Sequence, residues 1–174
     1  MSEVNLKIDI PLDEDKYLRR ECNLCKKEFK IKLSEMELNQ QIALLSQDYL
    51  EKTDKANSDL QDYNKHPEYF CPYCGQPSVM STYWTQRQIE FIKKHLQNYV
   101  NYIINREFVE KMQHMSTGLV TFKGSKMPII EPFMLPEEND MVVFHLKCCD
   151  EYVKIDSTSG VVYCFYCGFK HAFV

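Results

Sequence analysis

The residues most able to do chemistry in this chain are pairs of cysteines at metal-ligand spacing. Cys22 and Cys25 are separated by two residues, and Cys71 and Cys74 repeat that spacing immediately before Gly75. Two cysteines so spaced can wrap one edge of a tetrahedron in a tight turn, and zinc takes four such ligands with sulfur at about 2.3 Å. The sequence therefore predicts an all-cysteine zinc site in its first half.

A second set repeats this pattern near the C-terminus. Cys164 and Cys167 precede Gly168 as Cys71 and Cys74 precede Gly75. The matching first half is the stretch from His145 to Ile155, which contains two adjacent cysteines. Aligning Glu151 with Glu28 places His145 opposite Cys22 and Cys148 opposite Cys25. The predicted second zinc site is therefore His145, Cys148, Cys164 and Cys167.

Cys149 is left over by this alignment and is interpreted as a spare thiol. The alternative, in which Cys148 and Cys149 both bind and His145 does not, breaks the repeat. His171 lies three residues past Gly168 and could also substitute as a ligand, although an ordinary surface histidine is the simpler interpretation.

Disulfides, a redox pair and iron are the alternatives to zinc. The N-terminal residues lack the apolar stretch of a secretory signal, so an oxidising compartment is not indicated. A redox Cys-x-x-Cys pair would not explain the duplication. Iron is not excluded by sequence, but closed sets of nitrogen and sulfur ligands usually hold zinc.

Composition points to a cytoplasmic protein without membrane spans. The chain has 174 residues and a formal charge of −4, and bound thiolates would make it more negative. No apolar run approaches membrane-spanning length. An acidic balance disfavours non-specific attraction to nucleic acid.

Two capping-box patterns predict the helices that position these motifs. Ser34 and Glu37 begin a helix inserted in the first ribbon, and Thr85 and Gln88 begin a longer one. The long helix should continue to about Met115 with a wide apolar face that needs a partner. We expect the insert helix to cover most of that face, with a second copy of the protein as the alternative and hence a homo-oligomer.

The predicted fold is α+β, with two small zinc ribbons of short antiparallel strands joined by the long amphipathic helix. Residues 1–118 form the first ribbon with its helical insert and the long helix. Residues 119–140 form a strand and a proline-rich acidic linker, and residues 141–174 form the second ribbon.

The knuckle sequence carries a resemblance to a known class. Phe70-Cys-Pro-Tyr-Cys-Gly-Gln76, followed by Thr85-Gln-Arg-Gln-Ile-Glu90, resembles bacterial zinc-ribbon proteins of unknown function. The resemblance covers the two ribbons, and it implies no activity. The ligands it implies are Cys22, Cys25, Cys71, Cys74, Cys148, Cys164 and Cys167.

The sequence favours a non-catalytic interaction module that binds another protein as an adaptor or small subunit. Both predicted zinc sites are fully supplied with ligands, and no metalloprotease, deaminase or nucleotide-binding motif is present. The alternative is nucleic-acid binding, because basic residues near Cys22 and Cys25 could act together with the aromatic residues Tyr69, Phe70 and Tyr73 around Cys71 and Cys74. Its candidate residues are Arg19, Arg20, Lys26, Lys27, Lys30 and Lys32.

Overall fold

The computed structural model describes residues 8–53, 68–114, 124–157 and 160–172. The fold is α+β, with small antiparallel sheets and few helices. The strands are β1 (Leu18–Glu21), β2 (Glu28–Ile31), β3 (Glu68–Phe70), β4 (Pro77–Val79), β5 (Val142–Leu146), β6 (Glu151–Ile155), β7 (Val161–Tyr163) and β8 (Lys170–Ala172). The helices are α1 (Glu35–Thr53), α2 (Gln86–Ile104) and α3 (Lys111–His114).

One four-stranded sheet contains strands from both halves of the chain. Its order is β1-β2-β6-β5, and all neighbours are antiparallel. Lys30 of β2 lies directly opposite Lys154 of β6. The two halves predicted as separate ribbons therefore share one sheet through the β2–β6 edge, although the sequence predicts a linker at 119–140 between them. The domain boundaries themselves stay a prediction.

The second half of each ribbon is a two-stranded hairpin, β3-β4 or β7-β8. Two backbone hydrogen bonds cross between these hairpins: the amide of Phe70 donates to the carbonyl of Phe165, and the amide of Tyr163 donates to that of Pro72, both at 2.8 Å. Phe70 and Tyr163 each precede a knuckle cysteine, while Pro72 and Phe165 each follow one. This reciprocity relates the two halves by an approximate two-fold axis.

Two apolar clusters hold these elements together. The first lies between the sheet and the hairpins and comprises Cys22, Phe29, Ile31, Cys71, Met80, Tyr83, Leu146, Val153, Ile155, Val162, Cys164 and Phe165. The second joins the first ribbon to the helices and comprises Ile8, Ile10, Leu18, Ile42, Trp84, Phe91, Ile92, Leu96 and Met134.

Both predicted capping boxes are formed. The Ser34 hydroxyl accepts from the amide of Glu37, and the Thr85 hydroxyl accepts from that of Gln88. A π-helical turn at Asn105–Glu110 connects α2 to α3, so helical structure continues to His114. The predicted helix end near Met115–Gly118 and the predicted strand 119–122 lie outside the described residues. None of the described helices is long and apolar enough to cross a membrane.

The partner of the long helix is partly α1 and partly the extended segment 124–140. Residues of α1 and α2 share the second apolar cluster. Asparagines spaced three and four residues apart on α2 and the following turn bond the backbone of the extended segment. The bonded pairs are Asn98 with Ile130, Asn101 with Pro128, and Asn105 with Met127. The predicted linker is thus extended, but it is fastened to the helix.

Candidate metal centres

The first centre brings together the four cysteines that the sequence assigned to it. The sulfurs of Cys22, Cys25, Cys71 and Cys74 all lie within 4.8 Å of one another. Cys22 Sγ is 3.8 Å from Cys74 Sγ, and Cys25 Sγ is 3.6 Å from Cys71 Sγ. A tetrahedral zinc with sulfur at about 2.3 Å requires edges of about 3.8 Å between sulfurs. The cluster therefore has the size of a metal site.

Each half of this centre is built by the same local turn. The amide of Lys26 donates to the carbonyl of Cys22, and the amide of Gly75 donates to that of Cys71, both at 2.9 Å. Lys26 has a φ of 60° and Gly75 a φ of 69°. The residue after the second cysteine is thus left-handed in both turns, a conformation that costs glycine least.

Burial of this cluster disfavours free thiolates. Cys71 is fully buried, and burial raises the pKa of its thiol well above the ordinary value of a cysteine. Four thiolates could not share this small volume without a positive ion between them. The chemistry of the donors therefore fits a metal.

The second centre is a four-cysteine cluster. The sulfurs of Cys148, Cys149, Cys164 and Cys167 lie within 4.8 Å of one another, and those of Cys148 and Cys167 are 3.4 Å apart. Cys164 and Gly168 repeat the hydrogen bond and the positive φ seen at Cys71 and Gly75.

The predicted ligand His145 is not part of this cluster, and Cys149, interpreted as a spare thiol, takes its place. His145 is a residue of β5, and its Nε2 is 2.9 Å from Asp150 Oδ1. Its ring stacks on Tyr152, the residue directly opposite it in the hairpin. Because neighbouring strand residues alternate between faces, His145 lies on the face of the sheet opposite the buried Leu146.

The wrong ligand follows from aligning the repeats one residue out of register. The sequence alignment of the repeats pairs Lys30 with Val153. In the structure Lys30 is equivalent to Lys154, because these two lysines lie opposite each other at the approximate two-fold axis. That register makes Cys149, followed by Asp150 with a φ of 54°, the counterpart of Cys25. The signal was present in the sequence as Phe-Lys-Ile at 29–31 and Val-Lys-Ile at 153–155.

The two centres differ in their exposure to solvent. Cys22 and Cys71 are buried in the first centre, and Cys25 and Cys74 are half-buried. In the second centre Cys164 is buried, but Cys148 and Cys167 are exposed. Met80 and Tyr83 belong to the first half alone, and they pack in the same apolar cluster as Cys22 and Cys71.

Three of the six basic residues proposed for nucleic-acid binding are used inside the protein. Arg19 donates to Glu28, Glu137 and Asp140, each at 2.7 Å. Arg20 and Lys30 are fully buried. None of these three side chains presents its charge freely to a ligand.

The other three basic residues remain at the surface. The side chain of Lys26 is 70% exposed. Lys27 lies 4.9 Å from the ring centre of Tyr73, and Lys32 lies 5.5 Å from that of Tyr17. The exposed part of the predicted basic surface is therefore half as large as the sequence suggested.

Lys30 and Lys154 form a buried polar cluster that sequence reasoning missed. Their ammonium groups lie 3.4 and 2.7 Å from Asp13 Oδ2, which is itself buried. Lys154 also contacts Asp15 at 2.6 Å, and Lys30 contacts Asp140 at 2.9 Å. The cluster fastens the acidic end of the extended segment over the joint between the ribbons.

Comparison of the chain with protein-family models, curated proteins and solved structures finds no match.

Proposed function

We propose that this protein holds two zinc ions and acts as a non-catalytic interaction module. The donors are all sulfur, and each set has four members at tetrahedral spacing. Such closed sulfur sites suit zinc and serve a structural role, whereas catalytic zinc keeps a coordination place for water or substrate. The closed sets are the observation that supports a structural metal.

One cavity of the described chain is lined by His171 and lies beside the second cysteine cluster. Another, of about 270 Å³, is lined by Arg19, Arg87 and acidic side chains, and no cysteine contributes to it. Its charged residues are already engaged with one another, as Arg19 is with Glu28 and Glu137. It therefore lacks the pairing of a metal with an open pocket that hydrolysis by zinc requires.

The proposed interaction surface lies at the β5 end of the four-stranded sheet, which is equivalent to the β1 end. Leu18 of β1 lies opposite Ile31, and Val142 of β5 lies opposite Ile155. These are equivalent places on the same face of the sheet. Leu18 is 1% exposed beneath α2, whereas Val142 is 41% exposed. One end is covered by a helix of the chain, and the equivalent end is open.

The open end continues into a groove with an apolar floor and a basic rim. Phe144, Phe169 and Ala172 line it, with Lys147 and Lys170 exposed beside them. On the covered end, an amphipathic helix packs on the same face of the sheet. The partner that fits the open end is thus a protein presenting an apolar helix face flanked by acidic residues.

The nucleic-acid alternative has less support, because Arg19, Arg20 and Lys30 make internal contacts or are buried. It still has the exposed Lys26, Lys27 and Lys32, of which Lys27 lies over the ring of Tyr73. Binding through these residues would weaken steeply with salt as phosphate counterions are released.

Affinity capture from the native host followed by cross-linking tests the proposal. The variants are Val142→Glu and its neighbour Val143→Glu, which is 52% exposed on the opposite face of the same strand. Both should retain two zinc ions. We expect cross-links at the groove that Val142→Glu removes and Val143→Glu retains.

Capture unaffected by Val142→Glu would contradict this surface. Salt-sensitive oligonucleotide binding removed by reversing Lys26 and Lys27 would favour the nucleic-acid alternative. A metal content below two would contradict the structural sites themselves.

A further inference from the structure

A histidine lies beside one cysteine of the second cluster, without being a member of the four-cysteine set. His171 Nε2 lies 3.2 Å from Cys148 Sγ. The His171 ring packs edge-on against Phe144 and Phe169, with ring centres 5.8 and 5.1 Å away. These contacts hold the imidazole on β8 with its Nε2 directed at the cluster.

Cys148 is the irregular member of the cluster. Each cysteine turn ends on a residue with positive φ, and the cysteine directly before that residue is the second ligand of the turn. The positive-φ residue is Lys26, Gly75 or Gly168 in the three Cys-x-x-Cys turns. In the fourth turn it is Asp150, so Cys149 occupies the position of the second ligand. Leu146, fully buried, stands where the first cysteine of the turn would be.

The fourth ligand of this centre must therefore come from outside the regular turn. Cys148 supplies it from the tip of the β5-β6 hairpin and is exposed. His171 supplies the same side of the cluster from β8. Zinc accepts imidazole nitrogen and thiolate sulfur in the same tetrahedral sites, with Zn–N at about 2.0 Å.

We propose that Cys148 and His171 are interchangeable fourth ligands, so that the second site holds its metal either with four cysteines or with three cysteines and one histidine. The proposal rests on the proposed binding of zinc to this cluster. In the exchange the Zn–S bond to Cys148 breaks, the freed thiolate takes up a proton from the buffer, and the Nε2 lone pair of His171 forms a Zn–N bond. No electron is transferred, and the site loses one negative charge.

The exchange would leave Cys148 as an exposed thiol while zinc stays bound. Alkylation or oxidation of that thiol would then not eject the metal. The first centre has no alternative histidine ligand, because its cluster consists of four cysteines among the described residues.

Metal content and the cobalt(II) spectrum of the full-length chain and its variants test the proposal. Cobalt takes the same donors as zinc, and its sulfur charge-transfer absorption reports the number of thiolates. We expect Cys148→Ser to keep two metals per chain, with weaker charge-transfer absorption at the second site. His171→Ala should also keep two, whereas the double variant should fall to one.

His145→Ala is the matched control and should change neither quantity, because His145 contacts Asp150 and Tyr152. If Cys148→Ser alone falls to one metal, as the double variant does, ligand exchange is wrong while the metal site stands. Ligand exchange is equally wrong if Cys148→Ser and the double variant both keep two metals. If the wild-type chain itself binds fewer than two metals, the proposed function fails first.

Discussion

The two ribbons are built from the same turns and are related by an approximate two-fold axis, yet their surroundings differ. In the first half, α2 packs over Leu18, and Leu18 and Cys22 are each 1% exposed. The second ribbon is continuous, and its equivalent surface is open around Val142 and Cys148. The same local turns thus form a shielded cysteine cluster in one half and an accessible cysteine cluster beside an apolar groove in the other.

We infer from this difference that the two halves have different roles. We expect the shielded half to contribute more to stability, because it shares the first apolar cluster and supplies nearly all of the second. The open half keeps the surface and the reactive thiols that an interaction or a ligand exchange requires. Substitutions at equivalent positions of the two halves test this division.

The largest expected effect comes from Cys71→Ser, compared with Cys164→Ser. Both cysteines are fully buried and occupy the same place in their turns. Zinc contributes on the order of 10 kcal/mol to the folding of a small ribbon. We expect Cys71→Ser to abolish cooperative urea unfolding, since its centre closes the longer loop. Cys164→Ser should lose one zinc and keep a weakened transition, and equal loss in both would contradict the comparison.

Asp13→Asn should be the next most damaging change, because it removes the carboxylate shared by Lys30 and Lys154 at the joint between the ribbons. Removing one partner of a buried ion cluster costs about 3 kcal/mol or more. The urea midpoint checks this, with Glu14→Gln on the exposed neighbour as the control. A shift no larger than that of the control would show that the joint does not depend on this cluster.

The same cluster predicts a dependence on acid. Burial opposes ionisation of Asp140, but hydrogen bonds from Arg19 and Lys30 outweigh it and lower its pKa to about 2. For Asp13, burial is likewise outweighed by Lys154 and the Tyr17 amide, so its pKa also lies below the ordinary 3.8.

Groups with lowered pKa values contribute stability above their unfolded pKa and lose it as pH falls through the folded value. The stability difference between wild type and Asp13→Asn should therefore be constant at neutral pH. It should shrink as the pH falls below the ordinary value of 3.8 and through the lower folded pKa of Asp13. A difference that grows as the pH falls would contradict the sign.

Gly75→Ala and Gly168→Ala test the two-fold relation directly. An added Cβ would lie 2.8 Å from the ring of Tyr163 in the first case and 2.9 Å from that of Phe70 in the second. Both glycines also have positive φ, so each change should cost about 1–3 kcal/mol. Gly160→Ala meets no atom within 4 Å and serves as the control. Strongly unequal effects would mean that the hairpins do not pack reciprocally.

The smallest effect, and one of opposite sign, is expected for Arg20→Met. Arg20 is fully buried over Trp84, burial lowers its pKa to about 9, and its guanidinium nitrogens have no hydrogen-bond partner in the described chain. The equivalent place in the second ribbon holds apolar Phe144. Replacing an unsatisfied buried charge should raise stability by about 1 kcal/mol, after loss of the stacking contact. A lower thermal midpoint for Arg20→Met than for Arg20→Lys would contradict this.

Local patterns allowed much of this fold to be predicted. The two capping boxes, the first four-cysteine set and the extended character of residues 124–140 all follow from short-range signals, and the structure contains each of them. Such features depend on neighbours in sequence, which is why propensity and spacing find them.

The features that escaped prediction are those that depend on long-range pairing. The β2–β6 joint fixes the register of the repeats, and without it the one-residue shift that exchanges His145 for Cys149 was missed. The asparagine contacts of α2 and the Lys30–Asp13–Lys154 cluster likewise join segments far apart in the chain. A basic residue in sequence gives no indication that its charge will be buried, as Arg20 shows.

The central claim is that the chain holds two zinc ions, one shielded and one accessible. The most direct test is the rate at which zinc passes to an excess of a colour-forming chelator. We expect two phases of equal amplitude, one zinc per chain each, and the fast phase should be absent in Cys149→Ser. A single phase, a total of one zinc, or a fast phase that survives in Cys149→Ser would contradict the account.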